Sequence, residues 1–399
     1  MPKVVFFSNY LNHHQLPFCK ELVKLTNNNF YFVSQKAISE KRISFGYKNI
    51  ANDYDFNVRT YESKQELDKA YDLANTADYV LFGSSDTDYI KQRLKDNKIT
   101  FKYSERLFKF KKNKLGFLRE KRRVYINHGK YKNKPLYMLC AGSYAAYDFN
   151  RYNAYVNKTY KWGYFPEKIE YDIDELLKKK DNNKINILWA GRLLDWKHPE
   201  VVIELARMLK ENEYIFTINL IGSGELENNL KELIDKYNLN DCVNILGSMS
   251  PNEVRSHMET SNIFLFTSDY SEGWGAVLNE AMNSGCACVC SHAIGSAGFL
   301  IKPKHNGLLY KNDDINNLYN NVIYLIDNKE IRESISINAY KTIDELWNAK
   351  VAAERFIKLN ECLLKGEDTP YTDGPCSKAI PISEDKMYDY LVNGKDENS

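Results

Sequence analysis

No apolar run in this chain reaches the roughly 18 residues that a membrane-spanning helix needs. The opening stretch MPKVVFFSNY turns polar too soon to serve as a secretory leader. Both lacks lead to a cytoplasmic expectation, in which the eight cysteines are reduced thiols. The cysteines also lack the CxxC pairing of structural zinc sites. Cys286, Cys288 and Cys290 alternate in GCACVC, which on a strand sends all three to one face. A buried, thiol-lined strand is expected there, with no metal and no cofactor.

Net charge is nearly missing as well, at +2 over 399 residues. The near-zero total hides a segregation. Residues 1–165 carry 30 lysines and arginines against 15 acidic residues, and the remainder carries 25 against 38. A basic half joined to an acidic half implies that the basic half meets something anionic. Hydrophobic residues make up 43% of the chain, enough for sizeable cores. At roughly 100–200 residues per domain, the length suggests two domains, or three.

Apolar runs ending in small residues recur: KVVFF, ADYVLFGSS and PLYMLCAGS, then NILWAGR, FTINLIGSG, NIFLFTS and CACVCSH. Helical patterns such as PEVVIELARMLKE and ELENNLKELIDKYN lie between them. This alternation predicts an α/β fold of doubly wound parallel sheets, with ligands at the carboxyl ends of the strands. Hydrophobic density falls over 166–184. The expected plan is a Rossmann-like domain over 1–165, a linker over 166–184 and a second domain over 185–347. A C-terminal helix and tail over 348–399 is expected to pack back on the first domain.

Three stretches of the second half carry chemistry. In WAGRLLDWKHPE a strand ends and Arg192 and Lys197 follow, a fork and a point charge suited to a diphosphate. LIGSGELE fails as a dinucleotide fingerprint, because Glu227 stands where the third glycine belongs, and leaves only a tight glycine turn at Gly222 and Gly224. In SDYSEGWGAVLNEAMNSG a helix is expected to start near Gly275 or Ala276, with Gly273 and Gly275 letting backbone approach an anion. Glu272 precedes that start and Glu280 lies about a turn inside it. Two hydroxyl acceptors would thus flank an anion hole, matching the sugar, diphosphate and ribose of a nucleotide sugar.

The elements AGRLLDWK, LIGSGELE, VNILGSMS, SEGWGAVLNEAMNSG and NGLLY occur in this order over about 187–310. Together they resemble the retaining glycosyltransferases of family 4, with their GT-B architecture of two Rossmann-like domains facing a central cleft. The resemblance implies that Arg192 and Lys197 hold the donor diphosphate. It implies that Glu280 binds ribose, that Glu272 contacts the transferred sugar, and that Gly247–Met249 lie near the base. Gly224, Gly273, Trp274 and Gly275 complete the implied donor site. It also implies metal-free transfer, with domain closure excluding water. A nucleotide-sugar epimerase of the same architecture, or a sugar-nucleotide-binding subunit without turnover, are the competing readings.

The first half departs from that family's pattern. NYLNHHQLP replaces a common glycine pair, and ITFKYSER brings Glu105 where many members carry His-Gly. His13, His14 and Glu105 are the acceptor-side candidates; adjacent histidines commonly point apart, so one of the pair is expected to face the site. Asp86 and Asp88 form an Asp-x-Asp match to metal-dependent transferases, but Asp53/Asp55 and Asp172/Asp174 match equally well. The stretch 106–124 carries nine Lys or Arg and one acid, interspersed with leucine and phenylalanine. A basic amphipathic helix there favours an anionic membrane surface over nucleic acid. The expected partners are a nucleotide-sugar donor and a glycan or lipid-linked acceptor of a bacterial surface polysaccharide, met at the inner membrane face.

Overall fold

Strands buried on both faces need continuous apolar runs, and such runs build two wholly parallel sheets. The computed structural model describes residues 1–43, 48–85, 88–109, 114–180 and 184–394. The first sheet contains β1 (Val4–Ser8), β2 (Phe30–Ser34), β3 (Asn57–Arg59), β4 (Tyr79–Phe82), β5 (Thr100–Ser104), β6 (Leu136–Ala141) and β7 (Thr159–Trp162). Its strand order is β3-β2-β1-β4-β5-β6-β7. The second contains β8 (Ile185–Ala190), β9 (Phe216–Ile221), β10 (Val243–Ile245), β11 (Ile263–Phe266), β12 (Ala287–Ser291) and β13 (Leu308–Tyr310), in the order β10-β9-β8-β11-β12-β13. Each sheet reverses direction once, between β1 and β4 and between β8 and β11. In open α/β sheets that reversal opens a ligand crevice beyond the strands' carboxyl ends.

Local chemistry sets the helices. Ser63 caps the helix Lys64–Thr76 by accepting from the Glu66 N–H at 3.1 Å. Ser250 and Glu253 form a reciprocal capping box at the helix Pro251–Thr260, with Pro251 in its first turn. Cys286, Cys288 and Cys290 are fully buried around β12.

The chain divides into two units, Met1–Glu167 with Trp347–Ile382, and Lys168–Leu346 with the described residues from Ser383 onward. Two boundaries therefore differ from the expected plan. Most of the expected linker belongs to the second unit: it forms the helix Ile173–Lys178, and Ile169 exchanges two 2.9 Å hydrogen bonds with the Asn283 side chain. Its residues 181–183 lie outside the described residues. Lys180 is buried, and its ammonium donates to the carbonyls of Met258 at 3.1 Å, Ser261 at 2.7 Å and Ser284 at 3.2 Å. These carbonyls end two helices, Pro251–Thr260 and Val277–Asn283, where a cation is favoured. Lysine-rich composition resembles a solvated linker; here its stem runs inward.

The C-terminal segment is split between the units. The helix Ala349–Leu364 places Phe356 against Phe101 and Phe18 in the first unit. The following stretch runs antiparallel to β7, with Lys161 N–H donating to Ser377 O at 2.7 Å and Cys376 N–H to Lys161 O at 2.8 Å. That pairing covers a sheet edge. The last helix, Glu384–Asn393, packs on the second unit, where Tyr388 donates to Asn317 Oδ1 at 3.0 Å and meets the His292 ring edge-on.

Replacing Lys180 with Met keeps the stem's packing and abandons three buried acceptors. The second unit is expected to lose about 2–4 kcal/mol. Native-state hydrogen exchange would read this as faster exchange throughout the second unit with the first unit unchanged.

Candidate functional site

At the carboxyl edge of the second sheet, three loops lie against one another. The loop after β8 is fixed by Leu193 N–H donating to Ser223 O at 3.0 Å and Leu226 N–H to Leu193 O at 3.2 Å. A Cβ on Gly222, at φ +141°, would fall 1.8 Å from Gly191 O. Glycine is thus required by backbone contact, and Gly224 packs against Leu193 in the same turn. Gly222 N–H donates to Gly247 O at 2.8 Å, and Ser223 and Ser248 hydroxyls meet at 2.7 Å. The row runs from Gly247 and the partly exposed Met249, past Gly222–Gly224, to the exposed Arg192.

Lys197 ends a short 3-10 turn, Asp195–Lys197. The Thr267 hydroxyl, at the end of β11, donates to Lys197 O at 2.7 Å and accepts from the Trp189 indole at 2.9 Å. This links the turn after β8 to the loop after β11, across the reversal. The Lys197 ammonium then pairs with the Glu272 carboxylate, to which Ser268 also donates at 3.3 Å. Their side chains are 13% and 11% exposed, so the pair is largely desolvated. Sequence reasoning gave these two residues separate roles; the fold makes them one ion pair.

Glu280 lies on the helix Val277–Asn283, which starts where expected. Burial pushes its carboxyl pKa up, and the Arg255 charge opposes the rise. Arg255 itself donates to Glu280 O at 3.1 Å and Asn283 Oδ1 at 3.0 Å, tying two helices together. The core beneath the glycine loop shapes it. Trp274 is fully buried with its indole N–H on Asn279 Oδ1 at 2.9 Å, so its side chain anchors the loop from inside. Gly275, at φ +82°, is required by the core as well, because a Cβ would lie 2.3 Å from the Phe266 ring. Gly273 is buried beside it.

His198 was quoted in the sequence without being singled out. It stands in the left-handed region at φ +50° between the two acids Asp269 and Glu200. Hydrogen bonds to Asp269 and Glu200 push its pKa up to about 10. It is a further cation beside Lys197. Neither His198 nor Arg255 carries a motif that spacing alone would reveal. Among the described residues no group of three or more His, Cys, Asp or Glu gathers as a metal site would require; Asp86 lies outside them.

In the first unit, His13 and His14 do not diverge. Their ring centroids are 3.9 Å apart, because Asn12 turns the loop by accepting the His14 N–H at 3.0 Å. His14 stacks near Tyr164, whose hydroxyl donates to Glu105 at 2.7 Å. His14 and Glu105 thus share the neighbour Tyr164. Of the expected basic helix the structure describes Lys114–Asn127, and 110–113 lie outside the described residues.

Residues 172–342 match the family described as "Glycosyl transferases group 1", and that matched stretch carries Arg192, Lys197, Glu272 and Glu280. The chain is 30% identical over 203 residues to MJ1069 of Methanocaldococcus jannaschii, an uncharacterized glycosyltransferase, with 50% of each chain covered. It is 32% identical over 140 residues to the amylovoran biosynthesis glycosyltransferase AmsK of Erwinia amylovora, covering 34% of this chain and 33% of that one. The chain therefore spans half or less of the length of these relatives. The fold is shared with HepE of Anabaena solved with UDP, at a TM-score of 0.64 and 13% identity over 91% of this chain and 99% of that one. Two parallel α/β sheets and this likeness define the GT-B fold.

The raised His198 pKa sets a pH window. Its stabilising charge is fully present below the unfolded value of 6.5 and is lost as pH rises to about 10. His198→Asn, which tolerates the left-handed backbone, is expected to cost about 1.5–3 kcal/mol at pH 6. The cost should fade by pH 10, read from paired urea unfolding curves of variant and parent.

Proposed function

We propose that the chain is a retaining, metal-independent glycosyltransferase of family 4. It moves a sugar from a nucleotide-sugar donor to a glycan or lipid-linked acceptor in bacterial capsule or other surface-polysaccharide synthesis. The observation that carries this is the desolvated Lys197–Glu272 pair at the β8/β11 reversal, inside the group 1 match. The amylovoran synthesis by AmsK and the UDP bound to HepE support the substrate classes.

In this reading the diphosphate lies along the loop after β8, held by Arg192 and Lys197. As the bond from the anomeric carbon to the diphosphate oxygen breaks, negative charge builds on the leaving group. Fixed cations and the first-turn amides of Val277–Asn283 offset it without rearranging. Glu272 positions the sugar and, through Lys197, the phosphate. Glu280 takes the ribose hydroxyls, and Gly247–Met249 lie at the base. His13, His14 and Glu105 supply the acceptor side.

Arg192→Ala and Lys197→Ala should each weaken nucleoside-diphosphate binding by roughly 1.5–3 kcal/mol in calorimetry. Glu280→Gln should weaken nucleotide and donor alike. Glu272→Gln releases Lys197, so nucleotide affinity should hold or rise while turnover falls ~10²-fold from a misplaced sugar. Transfer should persist in EDTA. Proportional losses in both glutamate variants, or metal-dependent transfer, would overturn these roles; conversion of the donor without acceptor would mark an epimerase.

The helix Lys114–Asn127 exposes Leu118, Tyr125 and Ile126 together with Arg119, Lys121 and Arg122. We place the anionic membrane surface against this helix. Lys111 and Lys112 lie outside the described residues, so Lys121→Gln with Arg122→Gln is the sharper test. At ~1 kcal/mol per basic residue, the double variant should lose roughly 30-fold in binding to anionic liposomes. Equal co-sedimentation with the parent would count against docking.

A further inference from the structure

The first unit holds a cavity of about 380 Å³ at the carboxyl ends of β4 and β5, with Met138 of β6 in its wall. Its size lies within the range of small-molecule sites. Lys102, Arg106, Lys109 and Arg123 line it, against a single carboxylate, Glu105. Lys102 projects from the sheet itself and is 7% exposed. A lysine on a buried parallel strand is costly to desolvate unless it faces polar surroundings. The opposite wall is equally fixed. Asp148 accepts from Leu107 N–H at 2.9 Å and Phe108 N–H at 3.3 Å and pairs with Arg106 at 3.5 Å, while the Arg106 guanidinium stacks over Tyr144. Ser84, Ser85 and Ser104 add hydroxyls. His128 closes one side and meets the Tyr155 hydroxyl at 2.6 Å. Burial, together with the charges of Lys102 and Arg123, keeps that imidazole neutral.

We propose that this cavity binds a phosphate-bearing sugar or polyol of the acceptor, with Lys102, Arg106 and Arg123 on the phosphate and Glu105 on a hydroxyl. Cations of two shapes, a point charge and planar forks, line the one cavity, the residue types that phosphate recognition uses. Glu105 already takes hydrogen bonds from Tyr164 and Lys109, which fix the position of its carboxylate oxygens. Arg106 pairs with Asp148, Arg123 with Glu120 and Lys109 with Glu105, so four cations meet three acids and the balance at the cavity stays positive, which suits an anion better than a neutral glycan. The proposal deepens the transferase reading and rests on it for the word acceptor. The phosphate can belong to a soluble carbohydrate or to a lipid carrier, and the shared chemistry is the phosphoester.

The full chain carrying Arg192→Ala and Lys197→Ala removes the expected phosphate contacts of the second unit. In that background glycerol phosphate should still bind by calorimetry. Adding Lys102→Gln and Arg123→Gln should weaken it at least tenfold. Because Lys102 is buried, Arg123→Gln alone, on a side chain that is 64% exposed, provides a second variant, expected to weaken binding about threefold. Retention on phosphatidylcholine vesicles carrying a polyprenyl phosphate, dependent on the same residues, would assign the lipid source; binding of glycerol phosphate alone would assign the soluble one. Binding to neither, or affinities within twofold across all variants, would overturn the site. Sugar transfer to an unphosphorylated acceptor at full rate in the Lys102→Gln/Arg123→Gln protein would sink this inference and leave the transferase intact. Phosphate held by the cavity in a protein that transfers no sugar would support the site and end the transferase reading.

Discussion

β8 and β11 lie side by side in the second sheet, Ile187 opposite Ile263, and the chain leaves them toward opposite flanks. No helix can cross the carboxyl ends at that point, because one connection turns toward β9 and the other toward β12. Everything at the candidate site follows from this gap. The turn that carries Lys197 and the loop that carries Glu272 are brought within reach of each other only there. The Thr267 hydroxyl bonds them through Lys197 O and the Trp189 indole, so backbone and core fix the distance between the two charges.

The resulting ion pair is a poor source of stability. Removing a lysine and a glutamate from water costs several kcal/mol each, and their attraction roughly restores it. What the pair supplies is order: two long side chains that would otherwise sample many rotamers occupy one arrangement. His198, fixed between Asp269 and Glu200, repeats the device one residue further on. Preorganised charge of this kind is what favours a departing anion over a bound neutral group.

The parts legible in the sequence are those set by local pattern. Buried strands such as β1, β4, β11 and β12 announce themselves because both faces must be apolar. The short strands β3 and β13, three residues each, are too brief to show a period. The helix start after Gly275 was legible because glycine, small residues and an apolar run follow in order. The burial of Trp274 was not, since an indole in a glycine-rich loop looks the same from sequence whether it faces solvent or core. The burial of Lys180 inside the expected linker was hidden for a related reason: a lysine satisfied by three carbonyls of distant helices has no local signature. The pairing of Lys197 with Glu272 needed the strand order, which no spacing encodes.

The order in which the chain is made gives the C-terminal segment another meaning. Residues 168–346 are continuous and hold nearly all of the second unit, so that unit can condense as soon as it leaves the ribosome. The first unit begins earlier yet cannot finish. Its core waits for Phe356, and the open edge of β7 waits for Cys376 and Ser377. During synthesis the domain that starts first is completed last, and a bare strand edge stays open while the middle of the protein folds. A nascent chain in that condition depends on the speed of its own elongation, or on a chaperone at that edge, to avoid pairing with a neighbour.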